Sequence, residues 1–466
     1  MNEKITQTLR DNAVYRWLAL ILIASTMFFA YFFVDVAAPL QNLLLSDYNW
    51  TPDVFGMLGG SEFFLNVFAG FLILSGIILD KMGIRFTIIT SGLTMVLGAS
   101  IKWFALSAFF QGSGLESFLA SFIPSIPATA KLAFFGFSIF GVGVEMAGIT
   151  VSKAIAKWFK GKELALAMGL EMAIARLGVF AVFRLSPIFA ENGGVDNAVW
   201  WGLAFVCVGF ITFFTYTFMD KKLDKQTGES LEKSPEDEFK LSDLGKILTN
   251  PGFLAIAGLC VLFYAAIFPF QKFAADMLAS RLGMSIKDAA AVFSYFPIGA
   301  MILTPFMGAF LDRKGKGATM MLYGAILLTI SHLVFAFVPD AYFSDILAYL
   351  TIVILGTAFS LVPAALWPSL PKIIPERFLG SAYGLTFYIQ NIGLLLVPIM
   401  IGWSLTASNP GVAEQIAQGV EGVKYNYMVP ELIFSCFGVA AIVLAVILKH
   451  IDKKHGYGLD KPNVTK

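Results

Sequence analysis

The chain has 466 residues, 57% of them hydrophobic and 14% charged, with a formal net charge of +1 at pH 7 and a mean hydropathy of +0.75. Soluble domains run closer to half apolar and a quarter charged, so water alone cannot solvate this surface and lipid must. The near-neutral balance lacks the basic field that a nucleic-acid partner would need.

A helix needs about 20 apolar residues to cross a bilayer. Twelve such runs follow one another at 17–45, 53–78, 86–108, 131–157, 163–190, 197–219, 251–279, 288–311, 318–338, 344–371, 378–405 and 427–449. The first follows a short polar start containing Lys4, Arg10 and Arg16; it is too long for a signal-peptide core and counts as a membrane pass. Between the sixth and seventh runs lies the longest charged stretch, Asp220 to Lys246, which reads as a linker. The expectation is an all-α membrane protein of twelve transmembrane helices in two six-helix bundles. Residues 1–219 form the first, 220–250 a cytoplasmic linker and 251–466 the second. Lys and Arg crowd the loops of one side, from Arg10 and Arg16 through Lys81, Lys157, Lys221 and Lys372 to Lys449. Against them stand Arg281, Lys287 and Lys424 on the other side, which places both termini in the cytoplasm.

The three cysteines, Cys207, Cys260 and Cys436, sit inside apolar runs at no metal-ligand spacing, and the three histidines are scattered. No metal and no cofactor is expected. No nucleophile with a base stands at membrane depth either, which argues against an enzyme.

The halves echo each other. Gly76-Ile-Ile-Leu-Asp80-Lys81-Met-Gly83-Ile-Arg85 follows the second run, and Gly308-Ala-Phe-Leu-Asp312-Arg313-Lys-Gly315 follows the eighth. Gly169-Leu170 with Arg176-Leu177-Gly178 in the fifth run parallels Gly384-Leu385 with Asn391-Ile392-Gly393 in the eleventh. Carriers use such repeats to build a site at the repeat interface. The loop pattern resembles the signature of the major facilitator superfamily, with Gly317 standing where the second copy would carry a base. That resemblance implies the pseudo-symmetric major facilitator fold. Asp80, Arg85, Asp312 and Arg313 would then gate the cytoplasmic side without touching substrate.

Charges inside hydrocarbon are costly and mark cavities or partners. Glu145 lies 16 residues before Gly161 and Arg176 lies 15 after it. At about 1.5 Å per residue both sit roughly 24 Å from the turn, near the midplane. There they either neutralise each other or receive a zwitterion. Lys272 follows Phe268-Pro269-Phe270-Gln271, where proline interrupts the helical ladder; it either adds positive charge to a cavity or snorkels outward. Asp35 reads as a cavity residue or an outer gate, Glu62 and Lys102 as packing or local pairing, and Arg184 as snorkelling. Glu171 pairs with a neighbour or carries a proton. Trp367, within Ala365-Leu-Trp-Pro368-Ser-Leu-Pro371, stacks on a ligand or joins an aromatic belt. Gln390 and Asn391 donate to substrate or to a neighbouring helix. Tyr264 is a further, weaker candidate.

A narrower resemblance runs from the fourth to the eleventh run. Trp158-Phe-Lys-Gly-Lys-Glu163-Leu, Ala175-Arg176-Leu-Gly178, Phe268-Pro269-Phe270, Ser331-His332, Ala365-Leu-Trp-Pro368, Ile374-Pro375-Glu376, Ala382-Tyr383-Gly384 and Ile389-Gln390-Asn391 resemble the lysosomal dipeptide transporter family and its bacterial relatives. In that family an acid of the fourth helix and the arginine of the Ala-Arg-[Ile/Leu]-Gly motif hold the peptide termini; the matching positions are Glu145 and Arg176. The chemistry stands unaided: a carboxylate suits an ammonium, and a guanidinium grips a carboxylate bidentately. The expected substrate is a dipeptide or similar zwitterion, with another organic anion, an amino acid or a non-transporting receptor as alternatives. Met1 to Arg10 carries no acidic dileucine, which favours a bacterial inner membrane over a lysosomal one. Lysosomal members work with a glycosylated accessory protein; nothing in this sequence identifies such a surface, and a monomeric, self-sufficient carrier is the expectation.

Overall fold

The computed structural model describes residues 8–160, 162–227, 244–375, 378–420 and 422–462, and these are helical throughout, with no strand. Gly161, Glu376 and most of the expected linker lie outside the described residues.

α1 (Ala13–Val34) is capped by Asn12, whose Oδ1 accepts from the Val14 amide at 2.9 Å. It breaks at Asp35 and continues through a tight turn at Ala38–Leu40 into α2 (Gln41–Tyr48). The second pass was expected as one helix but comes in pieces: α3 (Pro52–Ser61), α4 (Phe64–Phe68) and the start of α5 (Phe71–Leu106). Gly70, at φ 67, makes the last break, a backbone state that only glycine adopts without strain. Irregular backbone survives at membrane depth where protein buries it or a water-filled cavity bathes it; Phe68 and Ala69 beside this break are exposed. α5 turns at Gly83 and supplies the third pass as well. α6 (Gly114–Ala120) sits in the next connection. The fourth to sixth passes are α7 (Ala128–Trp158), α8 (Leu164–Glu191) and α9 (Gly194–Thr227).

After α10 (Leu244–Leu248), α11 (Pro251–Leu282) opens the second half. Pro251 occupies its first turn, and Asn250 Oδ1 accepts from the amides of Gly252 and Phe253. The eighth pass is split at Ser294 into α12 (Ile286–Phe293) and α13 (Tyr295–Lys314). α14 (Gly317–Phe337), α15 (Asp345–Ile373), α16 (Leu379–Ser408), the short α17 (Val412–Ala417) and α18 (Met428–His455) complete the chain. Among the described residues, ten helical stretches are long and apolar enough to cross a membrane. The second pass and the outgoing arm of α5 bring the passes to twelve.

The repeats have physical meaning. Gly83 and Gly315, at matching places in the two loop motifs, both have positive φ, 83° and 72°. A Cβ at Gly178 would lie 2.2 Å from the Phe28 carbonyl oxygen, so this glycine lets α8 close on α1. At the matching Gly393 it would lie 2.5 Å from Val261 Cγ2, where α16 closes on α11. The same helix pair is thus drawn together in each half.

The halves meet at the end of the bundle away from the termini, called here the far side. Cβ atoms at Gly56, Gly60 and Gly402 would come within 2.3, 2.3 and 2.2 Å of the carbonyl oxygens of Pro398, Leu395 and Pro52, so α3 and α16 touch backbone to backbone. Thr406 Oγ1 donates to Asp53 Oδ1 at 3.1 Å along the same seam. Arg184 does not snorkel: its Nε donates to Ser294 Oγ at 2.9 Å across the halves. Lys131 adds a base to the far side, its ammonium donating to the carbonyl oxygens of Leu119 and Phe122. Towards the terminal side the halves part, and a Cβ at Gly76, Gly169 or Gly308 would meet no atom within 4 Å.

Candidate functional site

α7 and α8 form a hairpin whose ends, Trp158 and Leu164, bracket the turn. Glu145 and Arg176 project from its two arms and are both half-buried. Among the described residues, no hydrogen bond or ion pair joins them. The Arg176 guanidinium instead stands against three aromatic rings, 4.8 Å from the centre of Phe359, 5.5 Å from Phe268 and 5.9 Å from Tyr31. Phe268 and Phe359 belong to the second half, so Arg176 reaches across the interface. Aromatic faces attract a guanidinium but leave its donor edge unspent. Tyr31 lies in the fields of Arg176, Glu145, Glu171 and Glu62.

The second-half candidates form one wall. Trp367 Nε1 donates to the Tyr264 hydroxyl at 3.1 Å, and the Trp367 ring stacks on Phe387 at 4.6 Å. Tyr264 stacks on Phe268, the ring beside Arg176, at 5.6 Å. The Tyr383 hydroxyl donates to the Trp367 carbonyl at 3.2 Å, holding the proline-rich stretch of α15 to α16. Gln390 Oε1 accepts from Cys260 Sγ at 3.4 Å, and Asn391 Nδ2 is buried with no acceptor among the described residues.

Lys272 neither snorkels nor joins Arg176. Its ammonium donates to Asp35 Oδ1 at 2.8 Å and to the Val34 carbonyl at 3.0 Å, and lies 3.8 Å from Glu62 Oε2. Gln271 Nε2 donates to the other Asp35 oxygen at 2.5 Å. The four groups form a buried cross-half cluster on the far side of Arg176.

The loop candidates lie at the terminal side. Asp80 pairs with Lys153 at 2.7 Å. Arg85 pairs with Asp220 and Asp224, which also hold Lys157, so this network knits the first half to itself. Asp312 and Arg313 are exposed at the end of α13.

Of the rings around Arg176, Phe268 stood in the proline motif of the sequence without a role at the site, and Tyr31 and Phe359 are aromatic positions in apolar runs that carry no local signal. His332 Nδ1 and Glu431 Oε2, 2.7 Å apart and wholly buried between α14 and α18, were also unmarked as a pair. A separate surface cavity of about 360 Å³, between Arg281, Phe335–Asp340 and Lys424–Met428, belongs to the far face of the second half and is remote from Arg176.

The Major Facilitator Superfamily model matches residues 20–398. Curated relatives named lysosomal dipeptide transporter MFSD1 are 27% identical. The Homo sapiens protein aligns over 407 residues, 85% of this chain and 81% of that protein. The Danio rerio protein aligns over 403, covering 84% and 81%. Among solved structures, the nucleoside transporter NupG superposes with a TM-score of 0.67 at 15% identity, over 94% of this chain and 99% of that one. A bacterial homolog to the human lysosomal transporter Spinster, inward-facing and occupied, gives 0.65 at 16% identity, over 97% and 98%. With the family match running from the first pass into the eleventh and the fold shared along the whole chain, this protein belongs to the Major Facilitator Superfamily, a multi-pass membrane transporter of small molecules and not an enzyme.

Proposed function

We propose that the chain carries short zwitterionic peptides, dipeptides foremost, by alternating access between bundles 1–219 and 251–466. Glu145 receives the substrate ammonium and Arg176 its carboxylate. Tyr264, Trp367, Gln390 and Asn391 line the facing wall, while Lys272 acts as an outer gate through Asp35. Asp80, Arg85, Asp312 and Arg313 close the terminal side. The observation that carries this reading is Arg176: a half-buried guanidinium in a membrane-spanning helix, cradled by Tyr31, Phe268 and Phe359 and, among the described residues, in no ion pair, with Glu171 acting on it only through its field. A guanidinium withdrawn from bulk water within a membrane span is costly to leave without a counter-ion, and a ligand can supply one. The 27% identical relatives named as dipeptide transporters support the substrate class. The loop charges favour cytoplasmic termini, which makes the observed arrangement inward-facing, in a monomer of the bacterial inner membrane.

Uptake of a labelled dipeptide into proteoliposomes tests the reading. Wild type takes up label, and Glu145→Gln and Arg176→Ala abolish it; comparing runs with and without a pH gradient reports proton coupling. A folded wild type that moves amino acids or organic anions but no peptide overturns the substrate assignment.

A further inference from the structure

The buried far-side cluster holds two carboxylates and two ammonium groups, shared unequally between the halves. Asp35, Glu62 and Lys102 belong to the first half; Lys272 alone comes from the second. In the closed far side Lys272 serves both acids, bonded to Asp35 at 2.8 Å and lying 3.8 Å from Glu62. Lys102 is 1% exposed and its Nζ has no hydrogen-bond acceptor among the described residues. It rests on the rings of Phe137 and Phe33, 3.8 and 5.0 Å from their centres, within the fields of Lys272, Glu62 and Asp35. Its helix is locked to its own half: a Cβ at Gly136 would lie 2.7 Å from the Lys102 amide nitrogen, and one at Gly98 2.3 Å from that of Phe140.

Alternating access, on which this inference rests, must part the halves on the far side. Lys272 then leaves with the second half, and Asp35 and Glu62 remain behind as buried acids without their base, which is strongly unfavourable. Lys102 stays with them, on a flexible four-carbon stem. We infer that Lys102 is a reserve counter-ion: idle on aromatic rings while the far side is closed, it takes over Asp35 and Glu62 from Lys272 when that side opens. The exchange keeps one ammonium engaged with the acids in both states, and it gives a physical reason for a buried ammonium resting on aromatic rings. Lys102 and Lys272 act on the opening equilibrium in opposite directions.

The test needs no substrate, so it fails or succeeds independently of the peptide reading. Phe55 packs on Phe273 across the seam at 5.3 Å, so Phe55→Cys, in a chain with Cys207, Cys260 and Cys436 changed to Ala, is uncovered only when the far side opens. In sealed vesicles, its modification by a membrane-impermeant maleimide added outside reports the open fraction. Lys272→Met should speed modification and Lys102→Met should slow it, each by about tenfold or more. Adding Glu62→Gln to Lys102→Met should restore the rate, and Lys102→Arg should keep it. Thermal melting guards against misfolding: Lys102→Met should melt no lower than its parent, since the ammonium it removes is unpaired in the closed state. If Lys102→Met does not fold, Lys102→Gln carries the same comparison. An unchanged or faster rate in Lys102→Met, slowing that persists with Glu62→Gln, or a lower melting temperature overturns the inference.

Discussion

Among the described residues Arg176 is in no ion pair, and that single condition organises the candidate site. The rings of Tyr31, Phe268 and Phe359 orient the guanidinium without consuming its hydrogen-bond donors. A substrate carboxylate could then be gripped in two places at once. On the proposed reading, Arg176→Ala weakens dipeptide binding by about tenfold to a hundredfold, the value of a hydrogen bond to a charged group. Arg176→Lys recovers only part of this, because an ammonium keeps the charge and loses the fork. Affinities of the purified variants for a labelled dipeptide check both statements, and equal binding by Lys and Arg would remove the bidentate grip. The places of Glu145 and Arg176 on the two arms of one hairpin were legible from their spacing about Gly161. That they stand unpaired was not, because two side chains at equal depth on adjacent helices meet or miss according to rotation about the helix axes.

Helix contacts in this molecule are set by glycines whose neighbours are backbone atoms in some places and side-chain tips in others. At Gly178 the obstacle to a Cβ is the Phe28 carbonyl, 2.2 Å away; at Gly393 it is Val261 Cγ2, 2.5 Å away. A carbonyl inside a helix cannot turn aside, whereas a valine methyl can shift. Gly178→Ala should therefore destabilise the protein by about 1–3 kcal/mol, the usual cost of overpacking, and Gly393→Ala by less. Thermal melting in detergent decides the order; equal losses would mean that α16 is held as rigidly as α8. The runs of apolar residues located the passes to within a few residues at α7, α8 and α11. They missed the breaks in the second and eighth passes. Hydropathy records only that a segment is apolar, and α3, α4 and the start of α5 stay apolar while the backbone changes course under the packing of α16.

At the scale of the molecule, the same glycine chemistry acts between the halves and changes conformation in place of folding. A Cβ at Gly60 would stand 2.3 Å from the Leu395 carbonyl, a contact that exists only while the far side is shut. Gly60→Ala should shift the protein towards the far-side-open state. Spin labels at Leu115→Cys in the first half and Tyr342→Cys in the second, in the chain without native cysteines, should report a longer distance. Labels that keep the wild-type distance would show the seam yielding locally. The sequence by itself determined the lipid solvent, the passes and the doubled architecture. Each of these follows from local hydropathy, spacing and repetition along the chain. Only the tertiary structure decided that Lys272 meets Asp35 across the halves, that Lys102 is left on aromatic rings, and that Phe359 stands beside Arg176. Those pairings join residues far apart in the chain, and they depend on the register in which two rigid bundles meet, which no single segment encodes.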